Sequence, residues 1–299
     1  MLFTGAMDAA LEARNRPVIT LIDLCAMAER LMSDGQWRGD PLKRTPKTWD
    51  HSRLMKMVSG LILRDSLRDD RDFGSGVYRV ASVGSLGTAE EVACLADPFC
   101  YVSHASAMRL HGLRPAPSTP IHFSTPENRL WRAKQAELIG RLEIEAGGPR
   151  SAFTRPHFTE RLRRRKVAVH ETASPADMIE MGQTRVATLG STFVDMLAEP
   201  ALCGGMASVL AVWDRHAAAY LAQITDAIDH QASKIVKVRA GYILTERLGV
   251  EAPKIQAWQT AAQRGGSRKL DPERPYAPTF SERWMLSLNL PDRSATYPI

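Results

Sequence analysis

The stretch TWDHSRLMKMVSGLILRDSLRDDRDFGSGVYRVAS, from Thr48 to Ser82, combines the pattern of an amphipathic helix with that of a β-hairpin. Its apolar residues recur every three or four positions, which is typical of one buried helical face: Leu54, Met57, Val58, Leu61 and Ile62. Thr48 or Asp50 can cap this helix. The glycine-bearing segment from Arg71 to Gly76 then precedes the alternating Val77–Val80, which predicts two strands joined by a turn.

A second helical segment lies upstream of this stretch. Thr20 opens TLIDLCAMAERL, whose apolar spacing predicts an amphipathic helix of about two to three turns. The connection MSDGQWRGDPLKRTPKTWD contains glycines, prolines and basic residues and is predicted to be a loop. Helix, connection, helix and hairpin, in this order, are typical of a winged helix-turn-helix. We therefore expect a winged helix-turn-helix DNA-binding domain over residues 1–87.

Positive charge is concentrated on the connection and on the start of the second helix. Between Arg38 and Lys56 there are six basic and two acidic residues, and six minus two leaves a local charge of +4. The whole chain is also basic, with 39 Lys and Arg residues against 33 Asp and Glu residues and a net charge of +6. Because the second helix of such a domain enters the major groove, we expect it to bind double-stranded DNA.

The predicted DNA-binding residues are phosphate contacts, base contacts and flanking arginines. In that order they are Lys43, Arg44 and Lys47; His51, Arg53 and Lys56; and Arg64, Arg68 and Arg71. The hairpin tip is the weaker part of this set, since Asp69, Asp70 and Asp72 oppose its arginines. The alternative is a winged-helix protein-interaction module whose charges form a solvated face.

Residues 88–299 are predicted to form a larger α+β domain with a mixed or mostly antiparallel sheet. Thr88 caps a helix, and the segments FCYV, KVAVHET and RWMLSLNL are typical of strands, with longer helices between them. A second basic patch precedes KVAVHET and consists of Arg161, Arg163, Arg164, Arg165 and Lys166. It is either a second nucleic-acid contact or a charged edge that protects a strand from pairing.

The segment YVSHASAMRLHGL, from Tyr101 to Leu113, contains two serines and two histidines. His104 and His111 are seven residues apart, about 10 Å along a helix, which is too far for one metal ion. Ser103 lacks the flanking glycines of a nucleophile elbow. We predict that Ser103 caps a helix through its hydroxyl group and that the segment is structural.

One further segment, RGGSRKLDPERP, has features of a nucleotidyltransferase site, which requires a Gly-Ser turn and two carboxylates on a strand. Here Gly266–Ser267 precedes Asp271 and Glu273, but Pro272 lies between the carboxylates and excludes a central strand. We therefore predict a surface loop, no enzyme activity, no metal site and no cofactor.

The four cysteines form no C-x-x-C motif and are interpreted as buried apolar residues in a reducing compartment. The sequence has no signal peptide pattern and no apolar run of the about 18 residues that a membrane span needs. We expect a cytoplasmic protein with no membrane partner.

Five segments, in order, carry a family resemblance: GSGVYRVAS, YVSHASAMRLHGL, RVATLGSTFVDMLAEPALCGGMASVLAVW, RAGYILTERLG and FSERWMLSLN. From about Arg16 to Asn289 the chain resembles the AbiEi-like antitoxins of type IV toxin–antitoxin systems. The resemblance implies an autorepressor that binds inverted repeats in its own promoter. It also implies an antitoxin domain that counters a nucleotidyltransferase-like toxin without a stable complex. The basic loop from Ser33 to Lys47 is longer than the corresponding connection in this family.

Two other functions remain open at this point. The chain could be an antitoxin that acts by direct toxin binding with no DNA role, or a nucleotide-transferring enzyme.

Overall fold

The computed structural model describes residues 1–114, 119–142, 153–262 and 268–290. It mixes helices and strands, as the predicted α+β class requires. The chain forms two compact units, each made of segments that are distant in sequence. Unit 1 comprises Met1–Tyr101, Ser124–Pro175 and Glu180–Arg185, and unit 2 comprises Val102–Phe123, Ala176–Ile179 and Val186–Ile299. The first segment of unit 1 extends past residue 87 to Tyr101, and two later segments also belong to this unit.

The first eighty residues of unit 1 alternate helices with short strands. In chain order they form α1 (Phe3–Arg14), β1 (Val18–Thr20), α2 (Leu21–Asp34), β2 (Gln36–Trp37), β3 (Asp40–Pro41), α3 (His51–Leu63), β4 (Leu67–Asp69) and β5 (Val77–Val80). Strands β1, β5 and β4 pair in this order as an antiparallel sheet, with Ile19 opposite Tyr78 and Arg68 opposite Arg79. The hairpin β4–β5 and the helix before it agree with the prediction.

Local hydrogen bonds explain where the helices begin. The Thr20 hydroxyl accepts the backbone N–H of Asp23 at 3.2 Å, and the Asp50 carboxylate accepts that of Arg53 at 2.9 Å. Both caps confirm the prediction. Helix α2 is longer than predicted and ends at Gly35, whose φ of 62° is the left-handed conformation of a helix C-cap.

Three elements of this region were missed or misassigned from the sequence. Helix α1 and strand β1 were not predicted, and the connection assigned as a loop contains the hairpin β2–β3. Arg38 and Gly39 form its tip with φ values of 50° and 92°. Two left-handed residues in succession make the tight turn that a two-residue hairpin needs.

The core of this region is formed by apolar faces of the three helices and the sheet. Helix α3 contributes Leu54, Val58 and Leu61, which pack with residues of α1, α2 and β5. Met57 is partly buried and Ile62 is 38% exposed, so the buried face is narrower than predicted. Burial of this face therefore fixes which side of α3 is turned to solvent.

The middle of the chain supplies a larger sheet. Its elements are α4 (Ala89–Ala96), β6 (Tyr101–Val102), α5 (His104–Leu110), β7 (Ile121–Pro126), α6 (Asn128–Arg141), β8 (Arg161–Leu162), β9 (Arg165–Thr172), β10 (Met178–Met181) and β11 (Thr184–Ala187). The strand order is β10-β11-β6-β7-β9-β8. Strand β11 runs parallel to β6 and β8 runs antiparallel to β9, so the sheet is mixed and β8 is an edge strand.

The rest of unit 2 is mainly helical. Its elements are α7 (Leu189–Ala198), α8 (Met206–His216), α9 (Leu221–Asp229), α10 (Lys234–Tyr242), a π-helical turn (Ile243–Arg247), α11 (Pro253–Ala257), β12 (Phe280–Ser281) and β13 (Leu286–Ser287). Two short 3₁₀ turns cover Pro200–Cys203 and Trp258–Ala261. The predicted terminal strand is shorter than expected, because only Leu286 and Ser287 pair with β12. Within 1–114, 119–142, 153–262 and 268–290, every helix is too short or too polar to span a bilayer.

Trp284 is fully buried in the core of unit 2, where its ring lies across Gly241 of α10. Its indole N–H donates to the Thr245 hydroxyl at 2.9 Å. A Cβ atom at position 241 would lie 2.1 Å from the Trp284 ring. The absence of a side chain at Gly241 therefore allows the helix and the indole to approach.

We predict that Gly241→Ala destabilises the protein by about 3 kcal/mol, since the buried Trp284 ring cannot move away without disturbing the core. Gly140→Ala is the matched control, because Gly140 also lies in a helix and a Cβ atom there would meet nothing within 4 Å. This substitution should raise the free energy of unfolding by about 0.5–1 kcal/mol. Urea unfolding measures both changes. Equal stability of Gly241→Ala and the parent protein would contradict the packing described for Trp284.

Candidate nucleic-acid interface

Helix α3 exposes a polar and basic face opposite its buried stripe. At about 100° per residue, Ser52 and Lys56 lie on the side opposite Leu54 and Val58, with Arg53 beside them. His51, Ser52, Arg53 and Lys56 are all exposed. The predicted base contacts are thus on the solvent side of the helix. Ser52 was missed, although helical spacing from Lys56 would have identified it.

The basic loop before α3 presents its cations to solvent. Lys43, Arg44 and Lys47 are exposed, and the loop is anchored to the start of α1 by backbone bonds. The Lys43 N–H donates to the Met1 carbonyl at 2.8 Å, and the Phe3 N–H donates to the Lys43 carbonyl at 3.0 Å. Among described residues, no carboxylate forms an ion pair with these three cations or with Arg53 and Lys56. Their charge is therefore uncompensated locally.

The β2–β3 hairpin adds a cation that the predicted set omitted. Arg38 is exposed at its tip, and its guanidinium lies 5.4 Å from the centre of the Trp37 ring. Contact with the indole restricts this long side chain. The hairpin tip and residues 46–49 line the same groove, whose volume is about 1420 Å³ and whose walls include Trp37, Arg38, Lys47 and Trp49. Arg38 therefore belongs to the same basic surface as the loop.

The three flanking arginines have different surroundings. Arg64 lies 3.4 Å from the carboxylate of Asp8. Arg68 donates two hydrogen bonds of 2.6 Å to Asp65, and these bonds lower the pKa of that exposed carboxyl group. Arg71 is exposed in the β4–β5 loop, without an ion pair to any described residue. Arg64 and Arg68 thus have local structural partners, in contrast to the cations of α3.

The β4–β5 loop is held in place by a buried carboxylate. Asp70 has no exposed side-chain surface and accepts hydrogen bonds from Arg163 at 2.7 Å and Arg79 at 3.0 Å. Burial raises the pKa of Asp70, but the two arginines outweigh it and hold that pKa below its ordinary value. Arg163 also binds Asp72. Of the three acids predicted to oppose the hairpin arginines, Asp70 and Asp72 are paired with arginines of unit 1, while Asp69 is exposed.

Backbone and aromatic contacts also attach the β4–β5 loop to residues 157 and 158. Phe73 forms an isolated bridge with Phe158, and their rings meet edge to face at 5.6 Å. The Gly74 N–H donates to the His157 carbonyl at 3.1 Å. The hairpin loop is therefore packed against residues 157–163 of the same unit.

The second basic patch contains two arginines that form ion pairs within unit 1 and three residues that remain exposed. Arg163 forms ion pairs with Asp70 and Asp72, and Arg165 forms an ion pair with Glu90 at 2.9 Å. Arg163 and Arg164 form the β8–β9 turn with φ values of 49° and 65°, and Arg161 donates to the Arg164 carbonyl. Strand β8 is at the sheet edge, which favours the edge interpretation of the patch. Arg161, Arg164 and Lys166 remain exposed.

The serine and histidine pair at the start of α5 is bonded differently from the prediction. Ser103 is the N-cap residue, but its hydroxyl makes no cap bond and instead lies 2.8 Å from His104 Nδ1. The prediction that the hydroxyl caps the helix was wrong, because the imidazole of the next residue competes for it. His104 Nε2 lies 2.8 Å from Glu199, and the His104 N–H donates to Asp195. Its φ of 50° places His104 in the left-handed region.

In this Ser–His–Glu arrangement Ser103 and His104 are only 0% and 3% exposed, whereas the Glu199 side chain is at the surface of unit 2. A nucleophilic serine must be reached by its substrate, so the burial favours a structural role. His111 is held separately, with Nε2 2.8 Å from the Ala187 carbonyl. In the described part of the chain, no three His, Cys, Asp or Glu side chains are placed to hold a metal ion. Sequence spacing could not indicate Asp195 or Glu199, which are more than 90 residues away.

Asp271 and Glu273 belong to a turn. The Asp271 carboxylate accepts the Glu273 N–H at 3.0 Å and lies 3.3 Å from Arg274. Asn289 binds both the N–H and the carbonyl group of Asp271. The two carboxylates therefore do not line a strand, while Gly266–Ser267 lies outside the described residues.

Comparisons with known proteins add little to this geometry. No family model and no curated protein matches the sequence. The fold is similar to the crystal structure of the RV2827C protein from Mycobacterium tuberculosis, at 13% sequence identity and a TM-score of 0.44. The match covers 95% of this chain and 90% of that chain.

We predict that Arg163→Ala destabilises the protein by about 3 kcal/mol, because it removes a partner from the buried Asp70 carboxylate. Arg164→Ala, at the adjacent exposed position of the same turn, should cost less than about 0.5 kcal/mol. Urea unfolding at pH 7 measures both. Equal destabilisation by the two substitutions would show that the ion pair does not hold the loop.

The same pair predicts a pH dependence. Because the folded pKa of Asp70 is lowered, its contribution is complete above the unfolded value of about 3.9 and is lost as the pH falls through the folded value. In Arg163→Ala, burial is opposed by Arg79 without Arg163, so the pKa of Asp70 is higher in the variant than in the parent. The stability difference between the two proteins should therefore be largest at pH 7 and shrink as the pH falls through the pKa of Asp70 in the variant. A difference that stays constant from pH 7 to pH 3 would assign it to a group other than Asp70.

Proposed function

We propose that this protein binds double-stranded DNA through helix α3 and the basic loop that precedes it. The observation that carries the proposal is a group of exposed cations without ion pairs to described residues: Lys43, Arg44 and Lys47 in the loop, and Arg53 and Lys56 on the solvent side of α3. DNA presents a dense array of phosphates, and binding them with Lys and Arg releases condensed counterions. A protein-interaction surface would not require this density of unpaired positive charge.

The order of elements supports the same function. Helices α2 and α3 are followed by the β4–β5 hairpin, and β1 pairs with β5. This is the order of a winged helix-turn-helix, in which the second helix of the motif enters the major groove. We therefore propose that residues of unit 1 from α1 to β5 act as a winged helix-turn-helix.

Within this proposal the basic residues have two tasks. Lys43, Arg44 and Lys47 bind phosphates and fix the position of the helix on the duplex. Arg53 and Lys56 reach base edges in the major groove, where guanine presents two acceptors to a basic side chain. Their position in the first half of α3 places them at the end of the helix that carries the positive dipole.

We further propose that the bound DNA is an inverted repeat in the protein's own promoter and that the chain is a type IV antitoxin. This part rests on the resemblance to AbiEi-like antitoxins described above. The toxin would be a nucleotidyltransferase-like enzyme that is countered without a stable complex. Direct toxin binding without a DNA role remains the alternative, and a nucleotide-transferring activity is the less favoured one.

Fluorescence anisotropy with the upstream DNA of the protein's own gene tests the proposal. We expect Arg53→Ala/Lys56→Ala to weaken binding by at least about 30-fold, because two groove contacts are lost. Arg215→Ala/Lys234→Ala removes the same charge from exposed positions of unit 2 and should leave the affinity within about twofold. Unchanged affinity of the α3 variant would contradict the assignment.

The salt dependence of the same measurement separates phosphate contacts from base contacts. Each phosphate contact that is removed should reduce the slope of log K against log salt by about 0.9. Lys43→Ala/Lys47→Ala should therefore flatten the slope on specific and unrelated DNA alike. Arg53→Ala should instead reduce the preference for the specific sequence.

Co-expression with a neighbouring nucleotidyltransferase-like gene product tests the antitoxin proposal with the full chain. The Arg53→Ala/Lys56→Ala protein should still rescue growth while it fails to repress its promoter. Co-purification of a stable complex would favour direct toxin binding. Magnesium-dependent nucleotide binding that Asp271→Ala abolishes would favour an enzyme.

A further inference from the structure

A groove in unit 1 brings together two tryptophans and an excess of basic residues. Trp37 of β2 and Trp49, which precedes the N-cap of α3, both line this groove, whose volume is about 1420 Å³. Pockets for small molecules usually enclose roughly 300–1,000 Å³. The groove therefore has room for part of a polymer rather than for one compact ligand.

The two tryptophans of the groove are partly exposed. The Trp49 indole nitrogen is itself buried, so whatever part of that side chain faces the groove is carbon. On the hairpin, the Arg38 guanidinium lies 5.4 Å from the centre of the Trp37 ring. Indole rings beside basic groups form a platform on which nucleobases stack. The chain has six tryptophans, and the other four are at most 3% exposed: Trp131, Trp213, Trp258 and Trp284.

The charges of the groove are mostly positive. Its lining includes five basic and two acidic residues, which leaves a net charge of +3. Two of the basic residues have partners, since Arg14 lies 2.5 Å from Asp23 and Arg30 lies 3.8 Å from Asp34. The other acidic residue of the lining is Glu29. The remaining basic residues are exposed and form no ion pair with any described residue: Arg38, Lys47 and Arg141.

The groove is separate from the outward side of α3. Its described lining comes from α1, α2, the β2–β3 hairpin, residues 46–49 and the end of α6, and it includes no residue of α3. Of the phosphate contacts proposed for duplex DNA, Lys47 also lines the groove. A ligand in the groove would thus not need the base contacts proposed for Arg53 and Lys56.

We propose that this groove binds single-stranded nucleic acid. Bases stack on Trp37 and Trp49, while Arg38, Lys47 and Arg141 bind the phosphates. A single strand alternates flat rings with negative charges, and this is the chemistry that indoles and cations in one groove complement. An acidic peptide supplies the charge without a ring for each charge. Because every base has a flat face, binding should depend little on sequence.

Tryptophan fluorescence of the full-length protein tests the proposal without any substitution. Because the other four indoles are buried, quenching by an added strand reports on Trp37 and Trp49. We expect an oligothymidylate and an oligouridylate of about 12 nucleotides to quench saturably, by up to about a third of the emission. The tighter of the two identifies DNA or RNA as the ligand. Polyphosphate and polyglutamate supply negative charge without bases and should quench little.

Substitutions in the groove separate stacking from charge. Trp37→Leu should weaken binding of labelled oligothymidylate, measured by anisotropy, at least about fivefold, and Trp37→Phe, which keeps a flat ring, should retain most of the affinity. Arg38→Ala/Arg141→Ala should reduce the slope of log K against log salt by about 1.4, or about 0.7 for each lost phosphate contact. Arg215→Ala/Lys234→Ala removes the same charge from exposed positions of unit 2 and should leave the affinity within about twofold.

Unchanged emission with both oligonucleotides, equal quenching by polyphosphate or polyglutamate, or unchanged affinity of both Trp37→Leu and Arg38→Ala/Arg141→Ala would each overturn the proposal. Loss of oligothymidylate binding in Arg53→Ala/Lys56→Ala would also overturn it, because the strand would then lie on α3. Trp37→Leu should leave the affinity for duplex DNA within about twofold, so the groove and the proposed function can fail independently.

Discussion

Burial of one face of α3 is the constraint on which the proposed function depends. Leu54, Val58 and Leu61 recur at intervals of four and three residues, and their burial leaves the helix no freedom to rotate about its axis. The opposite side of the helix must then face solvent. Since Lys56 lies on that side and Arg53 beside it, the packing that stabilises unit 1 also places these two cations at its surface.

A second interaction fixes the element that follows this helix. Asp70 is charged, fully buried and held by Arg79 and Arg163, so the β4–β5 loop cannot move independently of residues 157–163. Removal of one partner from such a site is costly, since a buried carboxylate requires compensation. The hairpin tip thereby becomes a structural part of unit 1, and in the proposed function α3 and its preceding loop supply the basic surface that contacts DNA.

The predictions that succeeded concern interactions between residues close in sequence. Thr20, Asp50 and Thr88 all cap helices as expected, because the cap and the N–H that it accepts are three residues apart. Helix α1 was missed although Phe3, Met7 and Leu11 follow helical spacing. Its start carries no polar cap, since Leu2 is the N-cap residue and makes no side-chain cap bond.

The predictions that failed concern side chains with more than one possible hydrogen-bond partner and residue pairs that are distant in sequence. Ser103 satisfies every local rule for a cap, but His104 Nδ1 takes its hydroxyl. Arg163 was grouped with its basic neighbours because its partners Asp70 and Asp72 lie more than 90 residues away. Arg185, whose backbone N–H donates to Cys94 Sγ, is also 91 residues away from its partner. Such pairings follow from the tertiary fold, and residue type alone does not specify them.

Hydrogen–deuterium exchange of the full-length protein, with and without its upstream DNA, tests the central claim most directly. We predict that DNA protects backbone amides between residues 43 and 63, with the rest of the described chain changed little. Protection centred on residues 161–166 or confined to unit 2, with α3 unaffected, would contradict it.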